Sequence, residues 1–457
     1  MAPIPLLAHA TPDAPLAYRG GNAISARQFL ADARALATLL PAGTHVLNVC
    51  TDRYRFAVGF AACLMAGRTS LLPPTHVPEV IRQLRAFAPD SFCLTDDSDC
   101  SIDLPLLHYP AQSAHSTLPD ADWQVPPIDR ERRVAYMFTS GSTGVPVPHA
   151  KTWGQLVAAV AVEAQRLGFL DERPGAIVAT VPPQHMYGFE SSVLLAMLSG
   201  NAFCAERPFY PADITATLAA VPRPRMLVST PVHLRALLAT GIAVPAVDRV
   251  LCATAPLEPA LALEVEQRLG APLMEIYGST ETGQIASRRT TLGAEWQLWP
   301  EVSLSVRGGR TWADGGHVGA ATPLGDVVEI LPAGRFLLRG RNQDLVNVAG
   351  KRGSLADLNH QLGAIPGVVD AFFYLPEESS TRSATGTVRL AALVVAPGLT
   401  VAEIIRQLRK RVDPVFLPRP LLLVEQIPRN STGKLPLQML KSLTEHAVRG
   451  APAQGAG

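Results

Sequence analysis

The chain has 457 residues, 47% of them hydrophobic, with 40 Lys+Arg against 39 Asp+Glu and a net charge of +1. That length predicts two or three domains, and the balanced charge gives no case for nucleic acid or a membrane surface as partner. There is no apolar run of ~18 residues, no basic stretch before an apolar core near Met1, and no C-x-x-C pair among six cysteines. A membrane span, a secretory signal, a disulfide scaffold and a zinc site are therefore not expected, and a reduced, cytoplasmic setting is.

In chain order, residues 26–40 place Phe29, Leu30, Ala33, Leu36, Leu39 and Leu40 at helical spacing. Short apolar runs at 46–49, 176–180, 226–229 and 250–253 read as buried strands, with helical patterns at 155–166 and 261–269. Strands alternating with helices predict an α/β fold with parallel sheets. After about residue 295 the texture turns to short strands and Gly turns, which predicts a small β-rich subdomain. From Arg341 the chain reads as a compact α+β unit, with strands at 390–395 and 421–424 and a helix at 402–412.

Between two regular stretches lies Tyr136-Met-Phe-Thr-Ser-Gly-Ser-Thr-Gly144, small, hydroxylated and flexible. Glycines let backbone N–H groups close on a phosphate, and serine and threonine hydroxyls add donors. No Gly-Lys-Ser/Thr follows, so this is not a Walker A loop, and Gly-x-Ser-x-Gly is not met. The Gly-x-Gly dinucleotide fingerprint is absent as well.

Three more segments follow: Ile276-Tyr-Gly-Ser-Thr-Glu-Thr-Gly283, Gly325-Asp326 with Arg339-Gly-Arg341, and Pro428-Arg-Asn-Ser-Thr-Gly-Lys434. With these four ordered motifs the sequence resembles the adenylate-forming superfamily of acyl- and aryl-CoA synthetases, luciferases and peptide-synthetase adenylation domains. The likeness runs from Pro12 to Lys434. It implies a large N-terminal adenylation core, residues 1–340, and a mobile C-terminal lid, residues 341–457.

The reaction implied is attack of a carboxylate on the α-phosphate of ATP, with Mg²⁺ present. The resulting acyl-adenylate then passes to a thiol, either CoA or the phosphopantetheine of an acyl carrier protein. Positioning and electrostatics dominate such chemistry. By resemblance, Thr139, Ser140, Gly141, Ser142, Thr143 and Gly144 wrap the β- and γ-phosphates. Tyr277 stacks on adenine, Thr280 bonds the α-phosphate and Glu281 carries Mg²⁺. Asp326 accepts the ribose hydroxyls with help from Arg341. His185 lies near the carboxylate, and Lys434 bridges carboxylate and α-phosphate. The acyl pocket draws on His185, Met186, Glu190, Ala253, Thr254, Gly278 and Gly283.

The sequence departs from the family pattern in places. Val147 stands where a phosphate-binding lysine is usual; either Lys151 replaces it or the charge is missing. Gln343 stands at the hinge position, and Asn347 replaces a family lysine, while Gly350 is retained for the thiol tunnel. The small pocket residues suit an aryl acid such as a hydroxybenzoate; Glu190 alternatively suits the ammonium of an amino acid. The short length, Pro148-His-Ala-Lys-Thr-Trp153 and the absent loop lysine resemble small aryl acid:carrier-protein ligases of aryl-polyene and xanthomonadin-type pathways. A degenerate homologue that binds nucleotide or carrier protein without turnover is the third reading.

Overall fold

The computed structural model describes residues 2–73, 75–110, 123–140, 146–168, 174–341, 345–348, 351–375, 390–412 and 414–427. The chain forms two compact units: residues 1–305 with 313–322, and residues 306–312 with 323–457. The hairpin Asp326–Leu331/Arg335–Arg341 belongs to the second unit, so this boundary precedes residue 341.

The first unit holds two large sheets. One has six strands in the order Pro146–Thr152, Arg133–Ser140, Thr69–Leu72, His45–Asn48, Phe92–Thr95, Leu106–His108. All neighbours pair in parallel except the first strand, which folds back on the second as a hairpin. In the other sheet, Leu273–Ser279, Arg249–Cys252, Arg225–Ser229, Ala176–Ala179, Ala202–Cys204 and Pro15–Arg19 run parallel in that order. Antiparallel strands flank it on both sides, Gly283–Arg288 with Trp296–Leu298 on one and Asn22–Ser25 on the other.

These elements follow from their residues. Strands such as Ala176–Ala179 are buried at every position, as expected where helices cover both faces of a parallel sheet. The helix Ala26–Leu39 starts where the Ser25 hydroxyl accepts from the Gln28 N–H, and it buries Phe29, Leu30, Ala33 and Leu36. The helix Trp153–Arg166 opens on a reciprocal cap between Thr152 and Gln155. Leu227, Val250, Leu261, Val265 and Leu273 belong to one apolar core beneath the second sheet.

The second unit contains the strand Asp370–Tyr374 antiparallel to Ala391–Val395, which runs parallel to Leu421–Leu423. Helices Leu355–Gly363 and Val401–Leu408 supply Leu358, Leu362, Ile404 and Leu408 to a core with Phe373 and Val394. The last helix is shorter than its sequence pattern suggests. Arg409 caps it, and the N–H groups of Lys410 and Arg411 bond to Gln407 and Leu408, tightening the end into a turn. The basic cluster Arg409-Lys-Arg411 therefore sits at the helix C-terminus, where cations complement the macrodipole, and not along its face. None of the described helices is long and apolar enough to cross a membrane. Among the described residues no disulfide occurs, and five of the six cysteines are buried.

Candidate active site

Parallel strands place their C-terminal ends on one edge of a sheet, and ligands bind there. The His185 segment follows strand Ala176–Ala179, Ala253-Thr254 follows Arg249–Cys252, and Thr280-Glu281 follows Leu273–Ser279. Residues separated by about a hundred positions thus meet at one sheet edge.

The Tyr277 motif is a β-hairpin. Gly278 pairs with Gln284 and Ser279 with Gly283, after a bulge at Tyr277. The turn Thr280-Glu281-Thr282 is locked by hydroxyls: Ser279 N–H donates to Thr282 Oγ1 at 3.2 Å, and Thr282 N–H to Ser279 Oγ at 3.3 Å. Such local bonds fix a loop without a long side chain. Tyr277 is half-buried, its ring 5.6 Å from that of Trp296. Gly283 has φ of +73°, which favours glycine.

The first motif of the sequence reading flanks the hairpin of Arg133–Ser140 and Pro146–Thr152, with Val147 opposite Thr139 and Lys151 opposite Ala135. Thr139 and Ser140 end the first strand; Gly141, Ser142, Thr143 and Gly144 lie outside the described residues. On the return strand Val147, His149 and Lys151 share a face by their two-residue period. His149 Nε2 lies 3.0 Å from Thr139 Oγ1 and 3.8 Å from Glu281 Oε1. Lys151 Nζ donates to the Glu281 carbonyl at 2.8 Å. Lys151 is thus not at the hairpin tip; it grips the backbone of the turn that carries Glu281. Burial lowers the Lys151 pKa, while Glu190 and Glu281 act to raise it. His149 is likewise lowered by burial and raised by Glu281.

The His185 segment begins with a half-buried His185 and Met186 and continues into the π-helix Phe189–Leu194, which carries Glu190. Arg53, with no solvent exposure, braces this stretch. Its guanidinium donates to the Ala179 and Val181 carbonyls at 2.8 and 3.1 Å, and to Ser192 Oγ at 3.1 Å. Burial lowers its pKa to about 10, against the charges of Asp52 and Glu206, which act to raise it.

Glu190 is fully buried, and neither carboxylate oxygen makes a hydrogen bond of ordinary geometry, the Gln284 amide being its neighbouring donor. Burial pushes its carboxyl up to about 7, opposed by the Lys151 charge and by the Gln284 side-chain amide. Glu163 lies nearby on the helix Trp153–Arg166; burial pushes it up to about 8, with the Glu190 charge acting in the same direction. Gln284 Nε2 joins the group, 2.9 Å from Ser191 Oγ and 3.3 Å from Glu163 Oε2. Ala253 is buried, while Thr254 is exposed and left-handed at φ +81°, an unusual conformation for a β-branched residue.

In the second unit the hairpin register sets Asp326 opposite Arg341. Lys434, Gln343 and Gly350 lie outside the described residues. Sequence reading missed Glu163, Gln284, His317 and Arg53. It also missed His149, although its period with Val147 and Lys151 was a usable signal. The residues predicted at 139 and 281 are brought together through His149; those predicted at 190 and 283 are adjacent, a Cβ on Gly283 falling 3.2 Å from Glu190 Oε1.

A family described as AMP-binding enzyme matches residues 7–334. The 4-coumarate–CoA ligase of Rhodobacter capsulatus is 31% identical over 283 residues, 62% of this chain and 68% of the relative. A 4-chlorobenzoate–CoA ligase of an Arthrobacter species is 24% identical over 357 residues, 68% of this chain and 66% of its own. Among solved structures, the O-succinylbenzoate coenzyme A synthetase (MenE) from Bacillus subtilis in complex with ATP and magnesium ion shares the fold. Its TM-score is 0.78 at 18% identity, covering 94% of this chain and 97% of that one. With this match across most of its length, the chain belongs to the AMP-binding enzyme family, among ATP-dependent acid–CoA ligases that act through an adenylate.

Proposed function

We propose that the protein activates an aryl carboxylic acid, of the hydroxybenzoate type, as its acyl-adenylate and passes the acyl group to the phosphopantetheine of an acyl carrier protein in the cytoplasm. The observation that carries the reading is the junction of Thr139, His149, Lys151 and Glu281, which joins the phosphate hairpin to an acidic turn.

Glu281 offers hard carboxylate oxygens at that junction, a donor type suited to Mg²⁺. Bound there with ATP, Mg²⁺ supplies neutralisation of phosphate charge. Lys151 holds the Glu281 backbone in place, and His149 links it to Thr139. Tyr277 offers its ring to adenine, Thr280 bonds the α-phosphate and Asp326 with Arg341 takes the ribose. His185 lies beside the acid, and Lys434 offsets the charge that develops as the acid attacks the α-phosphate. Residues 341–457 act as the lid that turns between the half-reactions.

The aryl reading is supported by small lining residues, Ala253, Gly278 and Gly283, and by relatives named as ligases of 4-coumarate and 4-chlorobenzoate. The carrier-protein reading rests on charge. Residues 341–457 hold 14 Lys+Arg against 9 Asp+Glu, which complements an acidic partner. The buried carboxylate of Glu190 favours an amino acid as the second reading.

The test is Mg²⁺-dependent ATP–pyrophosphate exchange with aryl, short acyl and amino acids, followed by transfer to holo-carrier protein and to CoA. Exchange with aryl acids and faster transfer to carrier protein are expected. Preference for an amino acid overturns the aryl reading, and no exchange with any acid leaves a non-catalytic binding protein.

A further inference from the structure

The segment that carries His185 is fixed from outside itself. The His185 N–H reaches the Pro182 carbonyl only at 3.4 Å, and Gly188 packs on that same carbonyl, a Cβ there falling 2.0 Å from its oxygen. The stronger bonds come from residues 50–53, the loop that follows strand His45–Asn48 of the six-stranded sheet. Gln184 Nε2 donates to the Cys50 carbonyl at 2.6 Å, across 134 positions of sequence. The Arg53 guanidinium holds the Ala179 and Val181 carbonyls before His185 and Ser192 Oγ after it, and Ser192 Oγ in turn donates to the Gly188 carbonyl. Arg53 Nε adds the Cys204 carbonyl at 3.3 Å.

The loop is itself well held, so it can serve as an anchor. Asp96 Oδ1 accepts from the Thr51 N–H at 2.9 Å, and Oδ2 from the Asp52 N–H at 3.0 Å. Asn48 Oδ1 accepts from the Cys50 N–H at 3.2 Å. Bonds to an ionised carboxylate are the stronger kind, and here they occupy successive backbone donors.

On the other side of His185, Tyr187 Oη lies 3.1 Å from the Ser229 carbonyl and 3.0 Å from the Leu251 carbonyl, near the ends of two strands of the other sheet. His185 and Met186, both half-buried, therefore sit between an anchor on each sheet. The anchors differ. Tyr187 is placed against two carbonyls, whereas Gln184 reaches the loop through one amide donor. Loss of that donor would leave His185 free to turn about Tyr187, while Arg53 still holds the ends of the segment. A displacement of that kind matters to a reaction that depends on positioning.

We propose that Gln184 is a positioning residue, whose bond to the Cys50 carbonyl holds His185 in place beside the acid. The inference rests on the reading of His185 given above and deepens it.

The test measures ATP–pyrophosphate exchange in wild type, Gln184→Met, His185→Ala and the double variant. The acid is whichever of benzoate, 3-hydroxybenzoate and 4-hydroxybenzoate wild type exchanges fastest. Methionine keeps the length of glutamine and loses the donor. Gln184→Met should lower kcat/KM for the acid by about fivefold, the worth of one hydrogen bond, with KM for ATP within about twofold of wild type. Its melting temperature should stay close to wild type. Because Gln184 acts through His185, adding Gln184→Met to His185→Ala should change kcat/KM for the acid by less than about twofold. An unchanged kcat/KM for the acid in Gln184→Met, or losses that multiply in the double variant, overturns the inference while aryl activation stands. Equal losses for acid and ATP with a clear fall in melting temperature would mark Gln184 as merely structural and overturn it too. No exchange with any of the three acids in wild type overturns both readings. If the double variant does not fold, the split between acid and ATP in Gln184→Met decides.

Discussion

Replacing Glu163 by glutamine should change how stability depends on pH, independently of catalysis. Glu163 is 1% exposed; Oε2 accepts from Gln284 at 3.3 Å, and Oε1 has no partner. Burial pushes the carboxyl from 4.5 up to about 8. The native state therefore keeps a proton that the unfolded chain gives up between those values. For a raised native pKa the contribution is full below the unfolded value and is lost as pH rises toward the native one. At 1.36 kcal/mol per unit, the loss between pH 5 and pH 8 is about 3 kcal/mol. Glutamine keeps the shape and the acceptor for Gln284 but cannot ionise. The assay is urea denaturation of wild type and Glu163→Gln at pH 5, 6, 7 and 8. Tryptophan fluorescence reports on this region, since Trp153 opens the same helix and is fully buried. The variant should match wild type or fall slightly below it at pH 5, and gain on it by about 3 kcal/mol at pH 8. Glu190 titrates in both proteins and cancels to first order. Parallel pH profiles would show that Glu163 is ionised in the native state, and would refute the reasoning.

Three further outcomes are expected. Lys434→Ala should slow adenylate formation by roughly a few hundred-fold, the worth of one transition-state contact, yet spare thioester formation from supplied acyl-adenylate; equal loss in both half-reactions would argue for a structural role. Gly188→Ala should lower the melting temperature sharply, because a Cβ there would meet the Pro182 carbonyl oxygen at 2.0 Å, and an unchanged melting curve would contradict that packing. Thr254→Gly should raise stability by about 1 kcal/mol by relieving the left-handed φ of +81°, measured as a thermal shift.

Much of the frame was legible. Runs such as Ala176–Ala179 and Arg249–Cys252 read as strands because burial on both faces leaves them continuously apolar. The helix Ala26–Leu39 was legible from its spacing, and its start lies at a serine cap. The hairpin around Glu281 was visible as a motif, but its register, with Gly283 beside Glu190, was not. The reason is physical: Glu163, Glu190, Gln284 and His317 come from four segments that share no periodicity, and only the tertiary fold brings them together. The end of the helix Val401–Leu408 was misread because Arg409-Lys-Arg411 continues good helix-forming composition past the point where the chain turns.

The departure at Val147 has a physical reading in the same residues. Where the family resemblance expects a lysine near the phosphates, Val147 is 44% exposed and carries no charge. Two and four residues later, on the same strand face, His149 and Lys151 turn toward Glu281. The cationic character of this strand has been moved from the hairpin tip to its base. A lysine at the tip would meet the phosphates directly and could swing with the loop. The Lys151 ammonium is instead bonded to a backbone carbonyl, and it holds the turn that carries Glu281. Binding of nucleotide should therefore depend on metal more strongly here than in a relative with the tip lysine, since Glu281 is the group that this arrangement makes rigid. The same ammonium is also acted on by Glu190, so one side chain bears on both the turn that carries Glu281 and the buried carboxylate.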